Sequence, residues 1–171
     1  SYGGDPGGSR HSPLRQITRE NVAQLGVAWT YRTGDASHDD HQEGAVAGCG
    51  RCHSGASKFE ATPILAEGKL YLSTPLNRII ALDPATGHEL WRHDPKIRLD
   101  LERNEGFVSR GVAYWPGHAG RPSVDARCSS RIFFGTIDAR LLALDAATGV
   151  ACPGFGDAGT VHLDQGVGRV Q

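Results

Sequence analysis

Residues 70–87 read Leu-Tyr-Leu-Ser-Thr-Pro-Leu-Asn-Arg-Ile-Ile-Ala-Leu-Asp-Pro-Ala-Thr-Gly, and residues 132–149 read Ile-Phe-Phe-Gly-Thr-Ile-Asp-Ala-Arg-Leu-Leu-Ala-Leu-Asp-Ala-Ala-Thr-Gly. The two stretches keep a constant offset of 62 positions, as the step from Asp83 to Asp145 shows. Identical residues recur at that offset: Thr74 and Thr136, Arg78 and Arg140, Ala81 and Ala143, Leu82 and Leu144, Thr86 and Thr148. The chain therefore contains an internal repeat, which indicates one supersecondary unit used twice.

Each copy of the repeat predicts two short strands joined by a tight turn. β-prone apolar runs at 70–73 and 132–134 precede turn-forming residues, and second runs follow at 78–82 and 140–144. The ending Asp-x-x-Thr-Gly suits a further turn, because Asp accepts backbone N–H groups and Gly adopts positive φ. After the first copy, residues 88–91 (His-Glu-Leu-Trp) predict one more strand.

A unit of four strands has an apolar face that only a neighbouring unit can cover. Radial stacking into an all-β propeller provides such a neighbour for every copy. The alternative is a pair of hairpin units within a β-sandwich or barrel, and neither of these folds requires the recurring Asp-x-x-Thr-Gly turn.

Outside the repeat, the sequence predicts a short helix and two more strands. Thr18 is a suitable N-cap, and the apolar spacing through Leu25 predicts one or two helical turns. Residues 27–32 and 59–65 each predict a strand. Long loops are expected at 34–58, at 94–106 and over most of 115–127, and loops of such length are often functional.

The overall composition excludes some partners. The chain has 171 residues, with 18 Lys and Arg against 19 Asp and Glu, and no long basic run. Nucleic acid is therefore not expected as a partner, and neither is an anionic membrane surface. No apolar run reaches the roughly 18 residues that suggest a transmembrane helix. The chain contains no Met, which favours a processed chain or a piece of a longer one.

The turn after the first copy carries a long motif. Residues 81–91, Ala-Leu-Asp-Pro-Ala-Thr-Gly-His-Glu-Leu-Trp, match the tryptophan-docking motif Ala-x-Asp-x-x-Thr-Gly-x-x-x-Trp, whereas the second copy keeps the first seven positions and lacks the Trp. With this motif the chain resembles the quinoprotein dehydrogenases that depend on pyrroloquinoline quinone (PQQ), in the membrane-bound glucose dehydrogenase branch, which is glucose/quinate/shikimate-like. Further matching segments are Tyr2 to Asp5, Arg10 to Ile17, Asn21 to Asp35, Glu60 to Ile64 and Ser109 to Trp115.

The resemblance implies an eight-bladed β-propeller, of which this chain covers about two blades. Residues 1–35 would form an opening segment with the ring-closing strand, and residues 36–58 a loop insertion. Residues 59–107 would form the first blade repeat and a loop, and residues 108–171 the second blade repeat and the start of the next.

The resemblance also implies an activity. The chain would be the N-terminal part of a periplasmic dehydrogenase that oxidises a sugar, polyol or alcohol by hydride transfer to PQQ. Electrons would then pass to a quinone or a cytochrome. The catalytic residues and the Ca²⁺ ligands are expected beyond Gln171, so these 171 residues alone should hold no metal and be inactive. Membrane association, or an anchor, is expected only through parts outside them.

Two cofactor-binding residues follow from the resemblance. Glu60 matches a family glutamate at the quinone cofactor, and Arg110 matches the arginine that approaches the quinone oxygens. The chemistry is consistent, because a guanidinium binds anionic oxygens and stabilises charge that develops on reduction. Read without the resemblance, Glu60 is a solvated acid at a strand end and Arg110 a surface arginine.

The sequence departs from the family near Arg110. Gly106 occupies the position at which glucose-oxidising members have a histidine, and residues 104–108 lack the adjacent cysteines of alcohol-oxidising members. The substrate class is therefore open.

The cysteines form two pairs. Cys128 and Cys152 match cysteines of the glucose dehydrogenase branch, and the resemblance implies a disulfide between them in an exported protein. Cys49-Gly-Arg-Cys52-His53 has the form of a haem c attachment site, in which the histidine becomes an axial ligand. A local disulfide, free thiols, or a zinc clip completed by His38 and His41 are the alternatives for this segment.

Two rival functions remain open at this stage. A non-catalytic propeller scaffold, as in outer-membrane assembly lipoproteins, shares the blade turn but not the segments around Glu60 and Arg110. The other rival is an electron-transfer module that binds haem c through Cys49, Cys52 and His53. His88 and His93 are expected to be surface residues rather than ligands.

Overall fold

The computed structural model describes residues 7–9, 11–35, 57–97, 107–117 and 127–164. Within these ranges the regular elements are one 3₁₀ helix, Val22–Gln24, and ten β-strands. The strands are β1 Ser57–Phe59, β2 Ile64–Ala66, β3 Lys69–Ser73, β4 Ile79–Leu82, β5 Glu89–His93, β6 Phe107–Ser109, β7 Ala113–Trp115, β8 Arg131–Gly135, β9 Arg140–Asp145 and β10 Thr160–His162. The all-β prediction is confirmed.

Eight of the strands form two antiparallel meanders. The first sheet has the order β2-β3-β4-β5 and the second sheet the order β7-β8-β9-β10. The two predicted hairpins are β3–β4 and β8–β9, with Tyr71 opposite Ala81 and Phe133 opposite Ala143. The repeat in the sequence is therefore a repeat of sheets, as expected of neighbouring propeller blades.

The Asp-x-x-Thr-Gly turns have the same hydrogen bonds in both copies. Asp83 Oδ1 accepts from the backbone N–H groups of Ala85 and Thr86 and from Thr86 Oγ1. Asp145 Oδ1 accepts from the equivalent groups of Ala147 and Thr148. These bonds satisfy N–H groups that the turn removes from the strand ladder, which is why a short acceptor side chain stands there.

The two sheets pack on each other through one apolar core. The first sheet contributes Tyr71, Ile79, Ala81 and Trp91, and the second sheet contributes Ile132, Phe134, Leu142, Leu144 and Ala146. The opposite face of the first sheet, with Leu72, Ile80 and Leu82, packs against Trp29 and Tyr31. All four residues of β4 are buried, because both of its faces are covered, and this explains its continuous apolar sequence.

Two tryptophans lie in equivalent positions between successive units. The Trp91 indole lies over Gly149 of the second sheet and donates from Nε1 to Ala146 O at 3.2 Å. Trp29 lies in the same way over Gly87 and donates to Pro84 O at 3.1 Å. Trp29 precedes Trp91 by 62 positions, so this contact occurs twice at the offset of the repeat, and the sequence prediction did not include Trp29.

The structure corrects three local predictions. The predicted helical turns at Thr18 to Leu25 are reduced to the 3₁₀ helix Val22–Gln24, whose N-cap is Asn21 and not Thr18 as predicted. Asn21 Oδ1 instead accepts a hydrogen bond from Thr18 N ahead of the helix. Residues 27–32 are not a strand, because no described strand pairs with them. The predicted strand 59–65 is instead divided between β1 and β2, because residues 60–63 connect one sheet to another.

Candidate cofactor site

The two predicted cofactor residues follow a pair of parallel strands. β1 and β6 form a two-stranded ribbon in which Phe59 lies opposite Ser109. Glu60 and Arg110 are the next residues along these strands, and parallel strands bring their carboxyl ends to the same edge. The ribbon thereby brings together two residues that are 50 positions apart in the sequence.

A backbone contact continues the ribbon beyond its last strand pair. Thr62 N donates to Arg110 O at 3.1 Å. Gly111 has a φ of +137°, and a Cβ atom built on it would lie 3.0 Å from Thr62 O. Glycine suits this position in two ways, because its φ is one that other residues rarely adopt and because a Cβ would make an unusually tight contact with the Thr62 backbone.

The side chains of Glu60 and Arg110 form an ion pair that solvent reaches. Arg110 Nη1 lies 3.3 Å from Glu60 Oε2, and the two side chains are 85% and 37% exposed respectively. Such an exposed pair contributes little to stability. Both groups are consequently available to a ligand, one as a cation with several N–H donors and the other as an anionic acceptor.

An open cleft lies in front of this pair, with a volume of about 780 Å³. Its walls are the two segments that lead from the ribbon into the sheets, and their apolar residues are Ile64, Leu65, Ala66, Val112 and Ala113. A cleft of this size accommodates a cofactor of a few fused rings. Apolar walls beside a guanidinium and a carboxylate suit a flat molecule that bears several anionic oxygens.

Tyr114 also lines the cleft, and its phenol is hydrogen-bonded to Glu67. Tyr114 OH donates to Glu67 Oε1 at 2.6 Å, and Ser130 Oγ donates to Glu67 Oε2 at 3.1 Å. Partial burial, together with the hydrogen bond to this carboxylate, raises the pKa of Tyr114 above its usual value. The phenol is therefore protonated at neutral pH and acts as a donor.

Cys128 and Cys152 are joined by a disulfide, with both residues buried. The cross-link lies on the face of the second sheet that is turned away from the first, beside Ala143, Phe133 and Phe155. It is not part of the cleft. Its role is structural. It holds Cys152, which follows β9 and the turn after it, to Cys128, which precedes β8.

The remaining predicted site residues divide into two groups. Cys49, Cys52 and His53, with Gly106, lie outside the described residues, and so do His38 and His41. His88 is exposed, as predicted, whereas His93 is half-buried with Nδ1 3.1 Å from Gly149 O. Among the described residues, no three His, Cys, Asp or Glu side chains come close enough to hold a metal ion.

Within the described ranges, no helix is long and apolar enough to cross a bilayer.

Sequence reasoning missed Thr62 and Gly111 as parts of the site. Their contact joins two segments with no repeat offset or turn signal between them, so no local pattern in the sequence predicts it. The missed Trp29 contact differs, since the 62-residue offset from Trp91 was available in the sequence.

All 171 residues match the family described as "PQQ: Glucose/ethanol/alcohol dehydrogenase, beta-propeller domain". The chain belongs to this family, and the recognition made from the sequence is confirmed.

Several individual relatives and solved structures are similar to this chain. The chain is 36% identical over 174 residues to quinoprotein glucose dehydrogenase A of Acinetobacter calcoaceticus, covering 96% of this chain and 20% of that protein. It is 37% identical over 181 residues to a quinate/shikimate dehydrogenase (quinone) of Acinetobacter baylyi, covering 98% of this chain and 20% of that protein. Among solved structures, quinohemoprotein alcohol dehydrogenase from Comamonas testosteroni superposes with a TM-score of 0.62 at 28% identity, covering 96% and 19% of the two chains.

The chain thus spans about a fifth of the length of the curated relatives that it matches.

Proposed function

We propose that this chain is part of a longer PQQ-dependent dehydrogenase that oxidises a sugar, polyol or alcohol. The observation that carries the proposal is the pairing of Glu60 and Arg110 at the carboxyl ends of β1 and β6, in front of an apolar-walled cleft. When bound, PQQ would supply the hydride acceptor.

The described residues have separable roles in this proposal. Arg110 would bind anionic oxygens of the cofactor and stabilise the charge that increases on reduction. Glu60 would accept a hydrogen bond from a protonated group and hold the guanidinium in place. The aliphatic side chains of Ile64 and Val112 would exclude water from one side of the cofactor, which strengthens the electrostatic interactions there.

The other participants lie outside what the described residues provide. Residues beyond Gln171 would supply the Ca²⁺ ligands and the catalytic base. The electron acceptor would be a quinone or a cytochrome. The protein would act in the periplasm, where the Cys128–Cys152 disulfide is chemically stable. A second hypothesis is an electron-transfer module in which Cys49, Cys52 and His53 hold haem c. An intense Soret band in the absorption spectrum would support it.

The proposal is tested on the longer protein, exported to the periplasm and reconstituted with PQQ and Ca²⁺. Dye reduction is measured over a panel of sugars, polyols and alcohols. We expect PQQ-dependent turnover that falls by at least about 100-fold in Arg110→Ala, because charge stabilisation of this kind contributes several kcal/mol. The matched control is Arg92→Ala, since Arg92 pairs with Glu89 on the outer strand, away from the cleft.

Absence of both PQQ binding and turnover in the wild-type protein would contradict the proposal and favour the non-catalytic scaffold. The substrate that gives the highest kcat/KM would identify the class that Gly106 leaves open.

A further inference from the structure

The relative position of Glu60 and Arg110 is not set by their own ion pair. Arg110 is 85% exposed, and an exposed pair of this kind stabilises a single geometry by too little to hold it. The strands of the ribbon are only three residues each. Something else must hold the two segments together where they leave the ribbon.

The contact between Thr62 and the segment Arg110–Gly111 lies at that point. Thr62 N donates to the carbonyl oxygen of Arg110 itself. The backbone of Thr62 also faces the position of the missing Gly111 side chain, since the three atoms nearest to a Cβ there are Thr62 O, N and C, at 3.0, 3.7 and 3.9 Å. All three are backbone atoms, which cannot rotate away as a side chain could.

We infer that Gly111 is a positioning residue for the cofactor site, and that its contact with the Thr62 backbone fixes Arg110 relative to Glu60. The inference rests on the proposed function. Gly111 lines the cleft but has no side chain to offer a ligand, and it acts by allowing Arg110 and Glu60 to approach the same ligand without reorganisation. A Cβ at this position would require the Thr62 backbone to move by a few tenths of an ångström, and that shift would change the position of Arg110 relative to Glu60.

The test is the affinity of the longer protein for PQQ, measured by fluorescence titration of the apoprotein with PQQ in the presence of Ca²⁺. Gly111→Ala should raise Kd by about tenfold or more, the effect of weakening one charge-assisted hydrogen bond. Thr62→Pro removes the N–H donor and breaks the same contact from the other side, so it should raise Kd similarly.

Two other glycines serve as matched controls. Gly68 has a φ of +70° and no heavy atom within 4 Å of a built Cβ, so Gly68→Ala introduces the strain of a left-handed φ, milder than that at +137°, without a clash. Gly135 has no such neighbour and no positive φ, so Gly135→Ala introduces neither. Both variants should bind PQQ within about twofold of wild type.

Thermal unfolding of the apoproteins separates positioning from general stability. We expect Gly111→Ala to unfold no more than a few degrees below Gly68→Ala while its Kd for PQQ is at least about tenfold higher. A Kd for Gly111→Ala equal to that of Gly68→Ala, in a protein whose affinity falls with Arg110→Ala, would overturn this inference alone. A wild-type protein that does not bind PQQ would overturn the proposed function as well.

Unfolding of both Gly111→Ala and Thr62→Pro would also contradict the inference, because the contact would then hold the fold and not the site.

Discussion

The two sheets end differently, although they are copies of one repeat. The first sheet ends in β5, whose Trp91 is 9% exposed and lies on the second sheet. At the position 62 residues later the chain has Pro153, which lies in a turn between β9 and β10 and not in a strand. There the preceding residue, Cys152, is fully buried and is cross-linked to Cys128.

This difference shows that one structural task has two chemical solutions in the same molecule. An indole buries a large apolar area and uses its N–H to satisfy a carbonyl of the neighbouring sheet. A disulfide instead restricts the unfolded chain and needs no neighbour. The first solution ties a sheet to the one that follows it, and the second ties the second sheet to its own preceding segment.

The largest effect is expected from removing the indole. Trp91→Ala should reduce the free energy of unfolding by about 3–5 kcal/mol, because it leaves a cavity beside Tyr71 and loses the bond to Ala146 O. Urea denaturation followed by circular dichroism measures the loss. Trp29→Ala is the control, and its loss should be smaller, since Trp29 is only half-buried. Equal losses would mean that the two contacts do not differ as described.

Removal of the disulfide should have the next largest effect. Replacing both Cys128 and Cys152 by Ser should lower the free energy of unfolding by about 3 kcal/mol, as expected for a closed loop spanning a sequence separation of 24 residues. Dithiothreitol should reproduce the loss in wild type and have no effect on the double variant. An unchanged midpoint in the double variant would show that the second sheet does not depend on the cross-link.

A third comparison concerns the repeated aspartates. Asp145→Asn should cost about 1–3 kcal/mol, because Asp145 Oδ2 also accepts from Cys128 N at 2.6 Å. Asp83 is more exposed and has no hydrogen bond of this kind among those of the described residues, so Asp83→Asn should cost less. Urea denaturation at neutral pH compares the two variants, and a larger loss in Asp83→Asn would contradict the account.

The lowered pKa of Asp145 predicts that the free energy of unfolding depends on pH. Burial acts to raise the pKa of Asp145, but hydrogen bonds from Cys128 and Thr148 outweigh it and hold the pKa below its usual value. A carboxylate with a lowered folded-state pKa stabilises the fold above its unfolded value of about 3.9, and this contribution disappears as the pH falls through the folded value. The difference in unfolding free energy between wild type and Asp145→Asn should therefore be constant from pH 7 to about pH 5 and shrink below about pH 4.

The smallest expected effect distinguishes the two hairpin turns. Asn77 and Ala139 occupy equivalent positions with φ values of 61° and 60°, where Asn is tolerated better than Ala. Ala139→Asn should thus stabilise the chain by about 0.5–1 kcal/mol. Asn77→Ala should destabilise it instead, since it adds strain and removes the acceptor for Ile137 N. Thermal unfolding checks both signs.

The repeat made most of the fold predictable. The hairpins β3–β4 and β8–β9 depend on local apolar alternation and turn residues, which the sequence displays directly. Residues 27–32 were wrongly predicted as a strand because strand formation depends on a partner, and apolar content alone does not reveal one. Pairing of β1 with β6 was not predictable, because no turn signal or offset connects residues 57–59 with residues 107–109.

The candidate cofactor site could be predicted only from the resemblance to the family. Glu60 and Arg110 have no shared pattern in the sequence, and their proximity results from the parallel ribbon. Gly111 is one of 23 glycines, and only the structure shows that its missing side chain lies against a backbone. Such backbone contacts between distant segments have no signature in a single sequence.

The most direct test of the central claim is an experimental structure of the longer protein with PQQ bound. We expect density for the cofactor in the cleft between residues 60–66 and 110–114, with Arg110 within hydrogen-bond distance of a cofactor oxygen and Thr62 N still bonded to Arg110 O. Cofactor density elsewhere, with Glu60 and Arg110 paired only to each other, would contradict it.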